Sequence, residues 1–376
     1  MAYQGAMDSY KNTEPNKIMV TDRILLTDPM KIVAYSVLGT DVGKFAMVNR
    51  DGKEYRWLED TYLPETVTVH TDQWSSVTTN TNLTVSVTTI LQPGDILERN
   101  DELIWVISID ANGVASCERN YAGTTSVTHT TATTLNIIGR ARIDGDEADD
   151  SGMTEVTSST NYTQIFQKSV EVARTKQKMA QYGISDPMGR EIDKAMDELM
   201  ILLNKLPYFG GRNTGSATAG RAAGGFRTFI TDNSTDVASA ALTRDHIDDL
   251  LQAIFDDGGD PDLILCGAFA QRKINSFYEG FITTERSEAL GGNMITKLMN
   301  PISGRNLDVF VDRACPTDEL WVLSSDKIAF YPFDPFFYED LAKVGDAEVG
   351  EVVGEYGFIC AADKHHGFLY GISTSS

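Results

Sequence analysis

Cysteine is scarce: Cys117, Cys266, Cys315 and Cys360 stand far apart, with no CxxC pair and no histidine at a zinc-ligand offset. That spacing excludes a disulfide framework and a zinc finger, and predicts four buried free thiols. Long apolar runs are missing too. No stretch approaches the ~18 residues a membrane-spanning helix needs. The start, MAYQGAMDSYKNTEPNK, has neither the basic nor the apolar region of a secretory signal. A soluble protein, or one built into a soluble assembly, maturing in a reducing cytoplasm is therefore expected. Positive charge is short as well, 32 basic against 54 acidic side chains for a net charge of -22. Such a surface is repelled by phosphate backbones unless basic residues cluster, and here they are scattered.

Catalytic signatures are also lacking. The five histidines, His70, His129, His246, His365 and His366, form no HExxH, and no GxSxG occurs. In a strand, the adjacent pair His365-His366 would point to opposite faces and could not easily share a metal. The acidic run DGDEADD (residues 144–150) lacks the Gly and Glu offsets of a calcium loop and reads as solvated. Acidic pairs such as Glu59-Asp60 and Asp256-Asp257 are expected by chance among 54 carboxylates. The Gly-rich stretch 210–225 lacks the order GxxxxGK[ST], and Arg221 does not replace the missing lysine, so it reads as a flexible surface loop. No catalytic, cofactor-binding or metal residue is assigned, no enzyme class is supported, and no cofactor is expected.

What is present is structure. At 376 residues, with 41% hydrophobic and 23% charged residues, the chain can form two or three folding units. Residues 1 to about 30 read as a polar arm that orders only when held, and DPMKIVAYSVLG (28–39) is apolar but of undefined type. Asp51-Gly52 between β-prone runs predicts a hairpin or strand pair. From about residue 67 to 138, short Thr/Val-rich runs are separated by Pro93-Gly94, Asn100-Asp101 and Asn112-Gly113, which predicts a small β-sandwich or barrel. After an alternating stretch (162–172) and a helical TKQKMAQYG ending at Gly183, Asp186 and Pro187 suit the N-cap and first turn of a helix over 187–206. Its stripe Met188, Ile192, Met196, Leu199, Leu202, Leu203 and Leu206 steps by three and four. Met188, Ile192, Met196, Leu199 and Leu203 should be buried, and Arg190, Asp193, Lys194 and Asp197 should lie at the surface or a subunit contact.

Farther on, Thr243 is an N-cap with Leu242 and Ile247 as a hydrophobic staple; Leu250, Leu251, Ile254 and Phe255 continue the apolar face, and Gly258-Gly259 ends the helix. DLILCG, NLDVFVD, ELWVLS and KIAFYPF read as strands, AFAQRKINSFYEG as a helix, and 348–373 as one or two long closing strands. Pro332 and Pro335 within FYPFDPFFYED suggest irregular packing or a subunit-contact segment.

The joint order of YRWLEDTYLP (55–64), NYTQIFQKSVEVARTKQKMAQYGISDPMGREIDKAMDELM (161–200), ALTRDHIDDLLQAIFDDGGDPDLILCGAFAQRKINSF (241–277) and FDPFFYEDLAKVGDAEVGEVVGEYGFICAADKHHGFLYGIS (333–373) resembles tailed-bacteriophage major capsid proteins of the Hong Kong 97-like fold. More narrowly, it resembles the capsid family typified by the phage SU-ten. The resemblance implies an α+β fold: an N-terminal arm (1–45), E-loop strands (46–66 and 139–172), a P-domain (173–240) with spine helix 187–206, an A-domain (241–332) and a return to the P-domain (333–376). Residues 67–138 depart from the simplest pattern as an all-β domain inserted in the E-loop. That insertion is expected to project from the shell and contact adjacent subunits, replacing or supplementing a cementing protein. Subunit-contact candidates on the E-loop are Arg56, Trp57, Glu59, Asp60 and Arg142.

The function implied is self-assembly into hexamers and pentamers of an icosahedral phage head, located in the virion capsid and assembled in the host cytoplasm. The partners implied are the chain itself, portal, scaffolding or cement proteins, and packaged DNA through weak non-specific contact, with no membrane. An acidic lining suits a shell that must not grip its DNA. The alternatives are a phage tail or baseplate structural protein and a glycan-binding β-module.

Overall fold

A computed structural model describes residues 32–40, 44–45, 52–69, 82–84, 91–110, 112–130, 133–145, 154–179, 184–277, 282–287, 292–343 and 345–374. The expected arm over residues 1 to about 30, the helix end at Gly183, His70 and most of the acidic run lie outside them. Two compact units result, Leu58–Ser158 and the remainder of the chain.

In the larger unit, a seven-stranded sheet has the order Ser234–Asp236, Gly367–Tyr370, Leu320–Leu323, Leu263–Cys266, Asn306–Val311, Gly292–Met299, Ile282–Ser287. Its central strands LILC and LWVL are buried at every position. Both faces are covered, which is why these runs read as continuously apolar rather than alternating. Leu263, Leu265, Trp321, Leu323 and Phe368 enter one apolar cluster, while Ile264, Cys266, Leu320, Val322 and Leu369 enter the other.

Helix Arg244–Asp256 supplies Ile247, Leu250, Leu251 and Ile254 to the second cluster. It starts as expected: Thr243 Oγ1 accepts from His246 N at 3.4 Å, and His246 Nδ1 accepts from Thr243 N at 3.3 Å. Histidine thus fills the place usually held by Glu in a capping box. Phe255 departs from the expected apolar face and is 47% exposed. One step on from the inward-facing Ile254, it is turned about 100° toward solvent.

The first cluster belongs to the spine helix, Pro187–Phe209, which packs on Gln164–Ala173 and Ala347–Cys360. These two strands join Ile328–Asp340 in a three-stranded antiparallel sheet. Asp186 accepts from Met188 N at 3.0 Å, so the expected cap and first-turn proline are in place. The helix runs past the expected end near Leu206, through Pro207, and closes where Gly210 N donates to Leu206 O at 2.8 Å. Ala195, Leu199, Leu203 and Leu206 are buried, whereas Met188, Ile192 and Met196 are only partly buried against the cluster and Leu202 is 50% exposed.

The segment FYPFDPFFYED is strand rather than irregular packing, and its pairing register shifts between Pro332 and Asp334 and again between Asp334 and Phe337. Prolines are tolerated there because the strand lies at the sheet edge and is bulged. The closing strand is one long element, Ala347–Cys360, followed by the short Gly367–Tyr370. The apolar segment of undefined type contains helix Val33–Leu38, with Ala34 and Leu38 buried.

In the smaller unit, six antiparallel strands follow the order Thr66–Thr68, Thr134–Arg140, Asp95–Arg99, Glu102–Ile109, Val114–Glu118, Asn82–Thr84. Asn100 and Asp101 form the expected two-residue hairpin turn with φ of 50° and 65°. Among the described residues these six strands of the expected sandwich or barrel form one sheet. Val67, Leu83, Leu97, Ile104, Val106, Ala115, Cys117 and Leu135 make its own apolar cluster.

Candidate functional site

No group of three or more His, Cys, Asp or Glu that could hold a metal occurs among the described residues, and no described helix is long and apolar enough to cross a membrane. All four cysteines are buried free thiols, and burial pushes those of Cys117 and Cys266 up to about 12. That keeps them protonated and poorly nucleophilic at neutral pH.

His366 is fully buried: its Nδ1 accepts from Ser324 N at 3.1 Å and its Nε2 donates to Ala361 O at 3.0 Å. This is the neutral tautomer, and burial lowers its pKa from 6.5 to about 4. Because the folded value lies below the unfolded one, the unfolded chain binds the proton first as pH falls. Stability from this group is therefore complete above about pH 6.5 and declines toward pH 4, by about 3 kcal/mol in total. Urea midpoints measured from pH 7 to pH 4.5 should fall less steeply for His366→Gln than for the native chain.

The Gly-rich stretch is tied down rather than flexible. Asn213 and Ala222 pair across it, and Arg221 Nη2 meets Glu355 Oε1 at 2.5 Å. Buried Asn161 donates to Gly224 O at 3.0 Å and to Phe358 O at 2.7 Å, and accepts from Gly224 N at 2.8 Å. A Cβ on Gly225 would meet Pro207 O at 2.4 Å, so the loop passes against the end of the spine helix where only glycine fits. Although the loop borders an open cleft with Lys53 and Ile165, its arginine is already committed to a carboxylate. These contacts make the stretch a clasp.

The assembly candidates fall on two surfaces. On the ribbon, strand Glu54–Glu59 pairs with Thr157–Tyr162, far along the chain; Asp51, of the turn expected within a hairpin or strand pair, lies outside the described residues. Thr154 Oγ1 donates to Thr61 O at 2.6 Å and Thr157 Oγ1 to Glu59 O at 3.3 Å, clipping the two arms together. Arg56 is exposed and paired with Glu54 at 2.6 Å; Glu59 is half-buried, and Asp60 and Arg142 are exposed.

Trp57 is not a surface residue. It is 6% exposed, its ring 5.2 Å edge-on from Phe229. Strand alternation turns it inward with Tyr55, whose hydroxyl donates to Phe358 O at 2.9 Å and accepts from Phe358 N at 2.6 Å. A Cβ on Gly357 would strike the Tyr55 hydroxyl at 2.3 Å and its ring at 2.6 Å, so that strand position also requires glycine.

Sequence reasoning missed the apolar surface of the ribbon: Leu58 is 75% exposed, Tyr62 100% and Val156 56%, with Leu63 beside them. The signal was there. In YRWLED, Leu58 follows the inward Tyr55 and Trp57 at an outward position, where a polar residue would be ordinary.

On the spine helix, Arg190, Asp193, Lys194 and Asp197 are all exposed. Arg190 pairs with Glu191 at 3.5 Å, Lys194 with Glu198 at 3.9 Å, and Lys168 also reaches Glu198. The face carries both signs of charge.

The model of a family described as SU10 major capsid protein matches residues 6–373. A solved chain from the capsid asymmetric unit of cyanophage A-1(L) is similar in fold, with TM-score 0.59 and 12% identity over 98% of this chain and 100% of that one. A capsid chain of a native GTA particle gives TM-score 0.55 and 8% identity over 97% and 99%. A chain of Microbacterium phage Oxtober96 gives 0.50 and 12% over 97% and 99%. At such identities the structural likeness speaks for the fold. No curated protein matches.

Proposed function

The chain belongs to the SU10 major capsid protein family, and from that premise we propose how its copies meet in the icosahedral shell of a phage head. The ribbon carries the reading: two arms held by threonine hydrogen bonds present Leu58, Tyr62, Leu63 and Val156 to the outside. Exposed apolar groups on a stiff, extended element suit burial by a second copy. Arg56, Glu59, Asp60 and Arg142 form the polar rim of that contact. Arg190, Asp193, Lys194 and Asp197 on the spine helix make a second contact, where mixed charge fixes register more than it adds affinity. Hexamers and pentamers assembled in the host cytoplasm are the form this association takes.

In this reading residues 1–45 are the arm, 46–66 and 139–172 the E-loop strands, 173–240 and 333–376 the P-domain, and 241–332 the A-domain. The six-stranded sheet with its own apolar cluster supports residues 67–138 as a domain inserted in the E-loop. That domain touches neighbouring subunits and takes over part of the work of a cement protein; portal and scaffolding proteins are further partners. An acidic chain holds DNA only by weak, non-specific contact.

Tyr62→Asp and Leu58→Asp test the ribbon contact. Both side chains are exposed in the subunit, so far-ultraviolet circular dichroism should be unchanged, while the assembled fraction in sedimentation falls about tenfold or more, since a charge buried at an interface without a partner is strongly unfavourable. Normal assembly of both variants would remove the ribbon from the interface.

A further inference from the structure

Asp312 is a fully buried carboxylate just after strand Asn306–Val311. It accepts from Ala34 N at 3.1 Å, Tyr208 OH at 3.1 Å, Asn204 Nδ2 at 3.0 and 3.2 Å, and Ala314 N at 2.8 Å. No lysine or arginine forms an ion pair with it among the described residues. Burying a carboxylate without a cation is costly unless donors saturate it, so each of these donors counts.

Helix Val33–Leu38 has no side-chain cap of its own. Its first-turn N–H groups are satisfied from elsewhere in the fold: Ala34 N by Asp312, and Tyr35 N by Asn204 Oδ1 at 3.1 Å. The Asn204 amide is in turn oriented by Asp312, so the two acceptors form one socket.

The far end of the same segment is held separately. Lys44 Nζ donates to Leu38 O at 2.6 Å, Ser325 O at 2.7 Å and Ile328 O at 3.1 Å. Leu38 O is one of the carbonyls that a helix end leaves unpaired. Between the two anchors, the Tyr35 ring lies 5.0 Å from that of Phe330, and Phe330 N donates to Gly39 O at 2.9 Å.

We propose that helix Val33–Leu38 is held by a two-point clip, the Asp312–Asn204 socket at one end and the Lys44 clamp at the other. Asp312 is its positioning residue. Apolar burial of Ala34 and Leu38 alone would let the short helix slide or rotate. Directional bonds at both ends hold one register. The two anchors act on one docking step, so weakening either should release the whole helix.

Amide hydrogen exchange of the full chain tests this, whatever its state of assembly, and so does not depend on the ribbon contact. Asp312→Asn places an NH2 where only donors point, and should raise exchange at Ala34 and Tyr35 by at least about tenfold. Lys44→Met should raise exchange at the same two amides by a similar factor, although Lys44 touches only the far end. Amides of the spine helix and of Leu320–Leu323 should keep their native rates. The clip is overturned if Lys44→Met speeds exchange only near Leu38 and Gly39, if Asp312→Asn leaves Ala34 and Tyr35 unchanged, or if either folded variant loosens the spine helix equally. Should Asp312→Asn fail to fold, the Lys44→Met result at Ala34 and Tyr35 decides.

Discussion

Replacing Arg119 with alanine should cost the unit Leu58–Ser158 about 3–5 kcal/mol, the range for breaking one side of a buried ion pair. Arg119 Nε and Nη2 each meet Glu102 at 2.7 Å, both side chains being wholly buried. Glu102 also accepts from Val127 N at 2.7 Å and lies 2.9 Å from His129 Nε2. Burial alone would push the Glu102 carboxyl up, but hydrogen bonds from Arg119, Val127 and His129 outweigh it and hold the group below its ordinary value. Without the guanidinium, a buried carboxylate keeps only part of its compensation, and the chain that follows strand Val114–Glu118 loses the Arg119 bond to Val127 O.

The damage should be local, because this unit has its own apolar cluster. Hydrogen exchange in Asp95–Arg99 and Glu102–Ile109 should rise while the seven-stranded sheet stays protected. A uniform rise through the chain would show that the smaller unit has no stability of its own.

Trp321→Ala should be as severe for the larger unit, again about 3–5 kcal/mol, the cost of removing a large aromatic from a close-packed core. Trp321 is 0% exposed, stacked on Phe368 with centroids 4.2 Å apart and planes at 12°, and 5.0 Å from Phe226. Through Phe226 the packing continues to Tyr208 on the spine helix and to Phe358 on the long strand. The cavity therefore opens where helix, three-stranded sheet and seven-stranded sheet share one cluster. Trp321→Phe should lose less than half as much in denaturant unfolding, since most of the apolar volume remains. A loss below about 1 kcal/mol for the alanine variant would mean that the cluster collapses around the gap.

Helix starts were legible because their signals are local. Asp186-Pro187 and the Leu242-Thr243-Ile247 group each encode a cap within a few residues, and both are formed. The Asn100-Asp101 turn was legible for the same reason. What the sequence hid was set by distant partners. No local turn signal encodes the pairing of Glu54–Glu59 with Thr157–Tyr162. Trp57 is covered by Phe229, a residue more than 170 positions away whose contact no local pattern encodes. The glycines of 210–225 signalled looseness, whereas Gly225 is there because carbonyls of the spine helix crowd it. Asp312, Asn204, Glu102 and Arg119 have no periodic signature, since a buried polar residue is identified only by its partners.

The candidate surface was legible in part. Charged positions on the spine helix follow from helical periodicity and are exposed, but the apolar residues of the ribbon stood out only once strand alternation was fixed by the inward Tyr55 and Trp57.

Negative-stain electron microscopy of the purified full chain tests the central claim most directly. A shell-forming capsid subunit should appear as closed icosahedral particles, or as rings of copies with sixfold and fivefold symmetry. Monodisperse single subunits at every concentration and salt condition tried would contradict it.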